Sequence, residues 1–83
     1  MKYQIFYQKE ALEELEKLEP SITRRIANKI ENMSENLASC DIKKLKGSGC
    51  YRLRVGDYRV LFIFENSIIK ILKIGHRKNI YDR

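Results

Sequence analysis

The chain is poor in the residues on which several protein classes depend. Its 83 residues include no tryptophan, one proline, one histidine and two cysteines. Cys40 and Cys50 are too few for a disulfide framework, and a reducing compartment keeps them as thiols. A structural zinc site wants about four clustered ligands, and a nucleophilic cysteine wants a base steadied by a third group. With His76 as the lone histidine, neither is supported. No stretch approaches the ~18 apolar residues that cross a bilayer, and the opening MKYQIFYQ lacks the apolar core and small-residue cleavage site of a secretory leader. The expectation is a cytoplasmic protein. A chain of this length buries little more than ~60% of its unfolded surface. Residues 1–83 are therefore expected to form a single domain with a small core, and no metal or cofactor is expected.

What the chain has is positive charge, unevenly spread. The net charge is +6. From Met1 to Ile42 six Lys and Arg face eight Asp and Glu, a balance of −2, whereas from Lys43 to Arg83 eleven face three, a balance of +8. A basic stripe raises the local concentration of polyanions and releases their counterions on contact. Nucleic acid is the first partner this implies, and an acidic protein the second.

The hydrophobic pattern predicts a strand, two helices and three strands. Lys2–Tyr7 is apolar and aromatic enough for the first strand. Ala11, Leu12, Leu15 and Leu18 then recur at helical spacing. Pro20 ends that helix and suits the first turn of the next. Ile22, Ile26, Ile30, Met33 and Leu37 make the second stripe. Lys43–Gly49 reads as a basic loop, Gly56-Asp57 as a two-residue hairpin turn and Asn66-Ser67 as the next reversal, leading into Ile68–Ile74. The predicted architecture is α+β in the order β-α-α-β-β-β: a small antiparallel sheet with a two-helix hairpin packed on one face. No internal repeat, linker or low-complexity tract interrupts it.

The run from Cys50 to Phe64 carries the chemistry. Tyr51, Leu53 and Val55 alternate with Arg52 and Arg54, so one strand face is apolar and the other presents two guanidiniums. Arg59 follows the hairpin turn, and Gly75-His-Arg-Lys-Asn-Ile-Tyr81 closes the segment with His76, Arg77 and Tyr81. Taken singly, each is a solvated surface charge, since such charges are the rule. Arg59 could pair with Asp57 or Glu65, and the lysines Lys43, Lys44 and Lys46 could keep a loop soluble. Four arginines at one end of a sheet favour phosphate instead, because a guanidinium is a planar fork that stays ionised at any workable pH.

The order of elements, the Lys-Leu-Lys-Gly loop, Tyr-Arg-Leu-Arg-Val-Gly-Asp-Tyr-Arg-Val and the closing Gly-His-Arg-Lys-Asn-Ile-Tyr together resemble the RelE toxins of the RelE/ParE superfamily over nearly the whole chain. The resemblance implies the toxin of a toxin–antitoxin pair. Such a toxin is a metal-independent endoribonuclease that enters the ribosomal A site, cuts messenger RNA by attack of its own 2′-hydroxyl, and is silenced by a cognate RelB-like antitoxin. It implies Arg59 and Arg77 as stabilisers of phosphorane charge, and Tyr81 as the terminal aromatic that stacks on a base. Arg52 and Arg54 stand where RelE toxins often carry lysines. Arginine does not give up its proton in a protein, so these two read as phosphate holders. Lys43, Lys44, Lys46 and Lys78 read as further RNA or ribosome contacts. His76 is the proton donor or acceptor by type, while the general base stays open between Lys46, Tyr81 and a ribosomal group. Two alternatives stand beside this reading: a ParE-like toxin that inhibits DNA gyrase by binding alone, and a degenerate, inactive toxin.

Overall fold

In the computed structural model, which describes residues 2–80, Pro20 separates two helices as its fixed φ dictates. Strand β1 (Gln4–Tyr7) leads into α1 (Lys9–Glu16), and α2 (Pro20–Glu35) begins on the proline itself. The helices are tied where they meet. The Thr23 hydroxyl donates to the Leu15 carbonyl at 2.8 Å, satisfying one of the carbonyls that every helix C-terminus leaves free. A 3₁₀ turn (Leu37–Ser39) then leads to β2 (Ile42–Lys44), β3 (Tyr51–Val55), β4 (Tyr58–Glu65) and β5 (Ile68–His76). Both predicted hairpin turns are made on residues that tolerate a left-handed backbone, Gly56 at φ 59° and Asn66 at φ 57°.

The five strands lie in the order β1-β5-β4-β3-β2. Strands β3 to β5 form an antiparallel meander, as the turn signals predict, and β2 extends it antiparallel to β3. Two features correct the sequence-based expectation. The sheet is mixed rather than antiparallel throughout, because β1 docks parallel to β5, with Ile5 opposite Ile69 and Tyr7 opposite Ile71. The start of the expected basic loop is also a short edge strand, β2, whose Lys43 lies opposite Arg52. Three residues are too few for alternation to show.

The helices cover one sheet face, and among the described residues no helix covers the other. Ala11 and Leu15 of α1 and Ile26, Ile30 and Met33 of α2 pack on Leu53, Val55, Val60, Phe62, Ile69, Ile71 and Ile74, all buried. Burial of such side chains stabilises by roughly 1.5–3 kcal/mol each and dominates folding of so small a domain. The alternation along β5 does not run unbroken. Leu61 lies opposite Lys73 but Phe62 lies opposite Ile71, so Leu72 is an extra residue, a β-bulge. The bulge restores Ile74 to the core face three positions after Ile71. Beyond Tyr7, β5 has no β1 residue beside it, and the Ile74 N–H instead donates to the Glu14 carboxylate of α1 at 2.9 Å.

Tyr7, on the covered face, has its phenol pKa raised above 10.0, first by burial and then by the charge of Glu31. The folded chain therefore holds this proton more tightly than the unfolded chain. The resulting stability is complete below pH 10.0 and is lost as pH rises through the folded value. Tyr7→Phe should flatten that alkaline loss, as read by urea unfolding on either side of pH 10.0. Glu14→Ala leaves a sheltered N–H without its acceptor and should cost about 1–3 kcal/mol, whereas Glu14→Gln keeps an acceptor and should cost less. Equal shifts in the urea midpoint for the two variants would show that the bond contributes nothing.

Candidate nucleic-acid interface

The face opposite the helices is lined by the other half of each strand. Two cross-strand rows at its basic end are set by register. In the first, Lys43 lies opposite Arg52, Arg52 opposite Leu61, and Leu61 opposite Lys73. In the second, Arg54 lies directly opposite Arg59, and Arg59 opposite Gly75. Asp41 joins this second row, because its carbonyl accepts the Arg54 N–H at 3.0 Å one residue before β2 begins. Like charges on directly opposed strand positions are destabilising. Arg54 and Arg59 nevertheless stand so, on a face that no helix covers among the described residues.

Each guanidinium has a different tether. Arg52 donates to Asp41 Oδ1 at 3.2 Å and is sunk into the surface, with 18% of its side chain exposed; its Nε is buried and makes no hydrogen bond among the described residues. Arg54 is 57% exposed and reaches Asp41 Oδ2 only at 3.9 Å. Arg59 folds back on the turn, its Nη1 donating to the carbonyls of Gly56 at 2.8 Å and Tyr58 at 2.9 Å. Arg77 continues the strand by donating its N–H to the Asp57 carbonyl at 2.8 Å, and its Nε lies 3.5 Å from the exposed Asp57 carboxylate. Exposed pairs of this kind contribute little, so an incoming phosphate can take the place of Asp57 at small cost. The arrangement offers an anion the forks of Arg54, Arg59 and Arg77 near the Gly56-Asp57 turn, with Arg52 more deeply set beside them.

The remaining expected residues are placed less centrally. His76 lies opposite Tyr58 on the covered side of the sheet, its ring edge-on to the tyrosine at 5.4 Å between centroids. Its Nδ1 accepts the Lys78 N–H at 3.1 Å, and its carbonyl accepts the N–H groups of Asn79 and Ile80. His76 therefore organises the turn that carries Arg77 and Lys78 rather than facing Arg54 and Arg59. Lys43 shares the arginine face, whereas Lys44, opposite Tyr51, faces the other way, and Lys46 lies in the exposed β2–β3 loop. Ile80, 4% exposed, sits over Gly75, where an added Cβ would lie 3.1 Å from Ile80 Cδ1. Tyr81 lies outside the described residues.

Sequence reasoning missed Asp41, Lys73 and Phe6. Asp41 sits next to an edge strand too short for alternation to show. Lys70 and Lys73 are three apart, which on a regular strand means opposite faces; the bulge at Leu72 puts both on the bare one. Phe6, opposite Lys70 and 54% exposed, looks like core in the sequence, yet it points to the uncovered side. Among the described residues no three of His, Cys, Asp and Glu gather as metal ligands would.

With this geometry in hand, the chain can be set beside known proteins. A family model described as the ParE toxin of the type II toxin–antitoxin system parDE matches residues 5–81. A curated relative from Methanocaldococcus jannaschii named RelE1 is 36% identical over 87 residues, covering 98% of this chain and 97% of the relative. Among solved structures, the toxin chain of an archaeal RelE–RelB complex from Pyrococcus horikoshii superimposes with a TM-score of 0.77 at 30% identity, covering 95% of this chain and 99% of that one. A RelB–RelE antitoxin–toxin complex from Methanococcus jannaschii gives 0.76 at 34% identity, covering 93% and 95%.

The opposed arginines set up a trade between stability and binding. Replacing Arg54 by Thr removes a like-charge contact and installs a good strand former, and should raise stability by about 0.2–1 kcal/mol. The same change should weaken binding to a single-stranded RNA oligonucleotide and lessen its dependence on salt. Thermal unfolding and fluorescence anisotropy across a salt series check the two halves.

Proposed function

The chain belongs to the RelE/ParE family of type II toxins, and we propose that within it this protein is a ribosome-dependent endoribonuclease that cuts messenger RNA in the ribosomal A site and so stops translation. The observation that carries the proposal is the direct opposition of Arg54 and Arg59 on the uncovered sheet face, with Arg77 beside the same turn. Like charges at directly opposed strand positions cost stability, and an anion bound beside them would offset that cost.

The chemistry follows from the substrate. The RNA 2′-oxygen loses its proton and attacks the adjacent phosphorus, the bond from phosphorus to the 5′-oxygen breaks, and that oxygen gains a proton. A 2′,3′-cyclic phosphate and a free 5′-hydroxyl result. The phosphorane carries more negative charge than the ground state, and forks placed where that charge develops lower the barrier. Arg59 and Arg77 take this role, Arg77 by exchanging Asp57 for a phosphate oxygen. Arg52 and Arg54 hold the scissile phosphate and its neighbour, with Lys43 and Lys73 extending the track and Lys44, Lys46 and Lys78 meeting the ribosome. Tyr81 stacks on the exposed base. Arginine does not serve as a base, and His76 is engaged in the tail turn. We assign the proton transfers to groups the ribosome supplies, which makes cleavage conditional on it. The Pyrococcus horikoshii and Methanococcus jannaschii relatives are complexes with RelB-type antitoxins, and the proposed silencing partner here is an antitoxin of that type in the cytoplasm.

The family model bears the name of the ParE branch, and the rival reading is a gyrase inhibitor that binds without cutting. Inducing the chain alone and mapping messenger RNA 5′ ends separates the two. Cuts within codons that appear only with assembled ribosomes support the nuclease, whereas intact RNA with DNA damage supports the rival. Rapid cleavage of a naked oligonucleotide would contradict the assignment of proton transfers to the ribosome.

Arg59→Ala and Arg77→Ala should each lower the cleavage rate on programmed ribosomes by about 10² or more, with the fold retained. Lysine should rescue poorly, for want of a fork. Folded alanine variants that stay fully toxic would remove both residues from the reaction.

A further inference from the structure

Asp41 is a carboxylate at the arginine end of the uncovered face, and its two oxygens are divided between two guanidiniums. Oδ1 accepts from Arg52 at 3.2 Å and Oδ2 lies 3.9 Å from Arg54. Its backbone is fixed to the same strand, because the Asp41 carbonyl accepts the Arg54 N–H at 3.0 Å. The residue therefore cannot drift relative to β3, and its side chain reaches both arginines from one anchored point.

Two roles are open to such a group. It could be a placeholder, an internal anion that leaves when phosphate arrives. It could instead be a brace that sets where the guanidiniums stand when phosphate arrives. The tethers favour the brace. Arg52 is held at hydrogen-bond distance and largely sunk, with its Nε buried, so its guanidinium is more confined than that of Arg54. Arg54 faces Arg59, a like charge, and Asp41 lies on the far side of Arg54 in the same row, where its attraction counters that repulsion. Without the carboxylate Arg54 is repelled by Arg59 and Arg52 loses its hydrogen-bond partner.

We propose that Asp41 is a positioning residue for RNA cleavage, bracing Arg52 and Arg54 at the spacing that receives the scissile phosphate. The role rests on the nuclease reading above. It has an unusual kinetic consequence. Removing a negative charge from a basic face strengthens binding to RNA and ribosome, while loosening two phosphate-holding forks weakens the chemical step, since misplacement of about 1 Å can cost up to 10² in rate.

The test is steady-state cleavage of a defined mRNA on programmed ribosomes by wild type, Asp41→Asn and Asp41→Glu, with arginine Nε–H resonances recorded on the ¹⁵N-labelled proteins. Asp41→Asn should lower kcat by roughly tenfold to a hundredfold while KM stays level or falls. The Arg52 Nε–H signal should shift with the amides of Leu53 and Val60 unmoved, and Asp41→Glu should recover much of kcat. A merely structural role would move the core amides and leave no such division between kcat and KM. If the wild type cuts and Asp41→Asn cuts equally well or faster, Asp41 is a placeholder and the positioning role is wrong, while the nuclease reading stands. An Arg52 signal that does not move in Asp41→Asn overturns the brace by itself. If the wild type cuts nothing on ribosomes, both readings fall together.

Discussion

The extra residue in β5 governs what each face of this small sheet can do. Isoleucines at 69, 71 and 74 cannot share a face on a regular strand, and a core this small cannot spare Ile74. The bulge at Leu72 reconciles them, and the change of parity carries Lys73 to the uncovered side, into the row with Arg52 and Lys43. Packing on one face and charge on the other are therefore set by a single irregularity. Glu14 supports it from across the domain by accepting the Ile74 N–H that no strand reaches.

The electrostatic arrangement is costly by design. Arg59 and Arg77 stand at the Gly56-Asp57 turn, and the groups that quiet them are turn carbonyls and an exposed carboxylate rather than buried partners. Weak tethers suit the proposed exchange for phosphate. Arg52 is the exception, and its fixed posture gives the others a reference. Helix α2 reaches the same turn from the other side, because a Cβ added at Gly56 would lie 2.9 Å from Arg25 Nη2.

The sequence was most legible where one physical signal acted alone. Pro20 between two apolar stripes fixed the helical pair, and Gly56-Asp57 between two β-rich runs fixed the hairpin that brings Arg54 opposite Arg59. It was least legible where long-range pairing decided. The parallel docking of β1 depends on how many strands precede β5 in the meander, and no local residue reports that. The edge strand at Ile42–Lys44 is too short for alternation, so Asp41 next to it gave no sign of meeting Arg52. His76 was read by type as a proton carrier. One extra step of the pleat puts it on the covered side, where its nitrogen closes a turn.

Ile80 seated over Gly75 has a consequence for how the chain can vary in length. The segment Arg77–Asn79 is pinned at both ends, by the backbone bonds of His76 and by a buried side chain against a strand glycine. One residue more or fewer there would lift Ile80 from its seat or drag Arg77 off the Asp57 turn. The exposed Lys46–Gly49 loop has no such double anchorage. Insertions and deletions accumulating in descendants of this chain should therefore collect between β2 and β3, while the spacing from the last strand to Ile80 behaves as a ruler that cannot be recut.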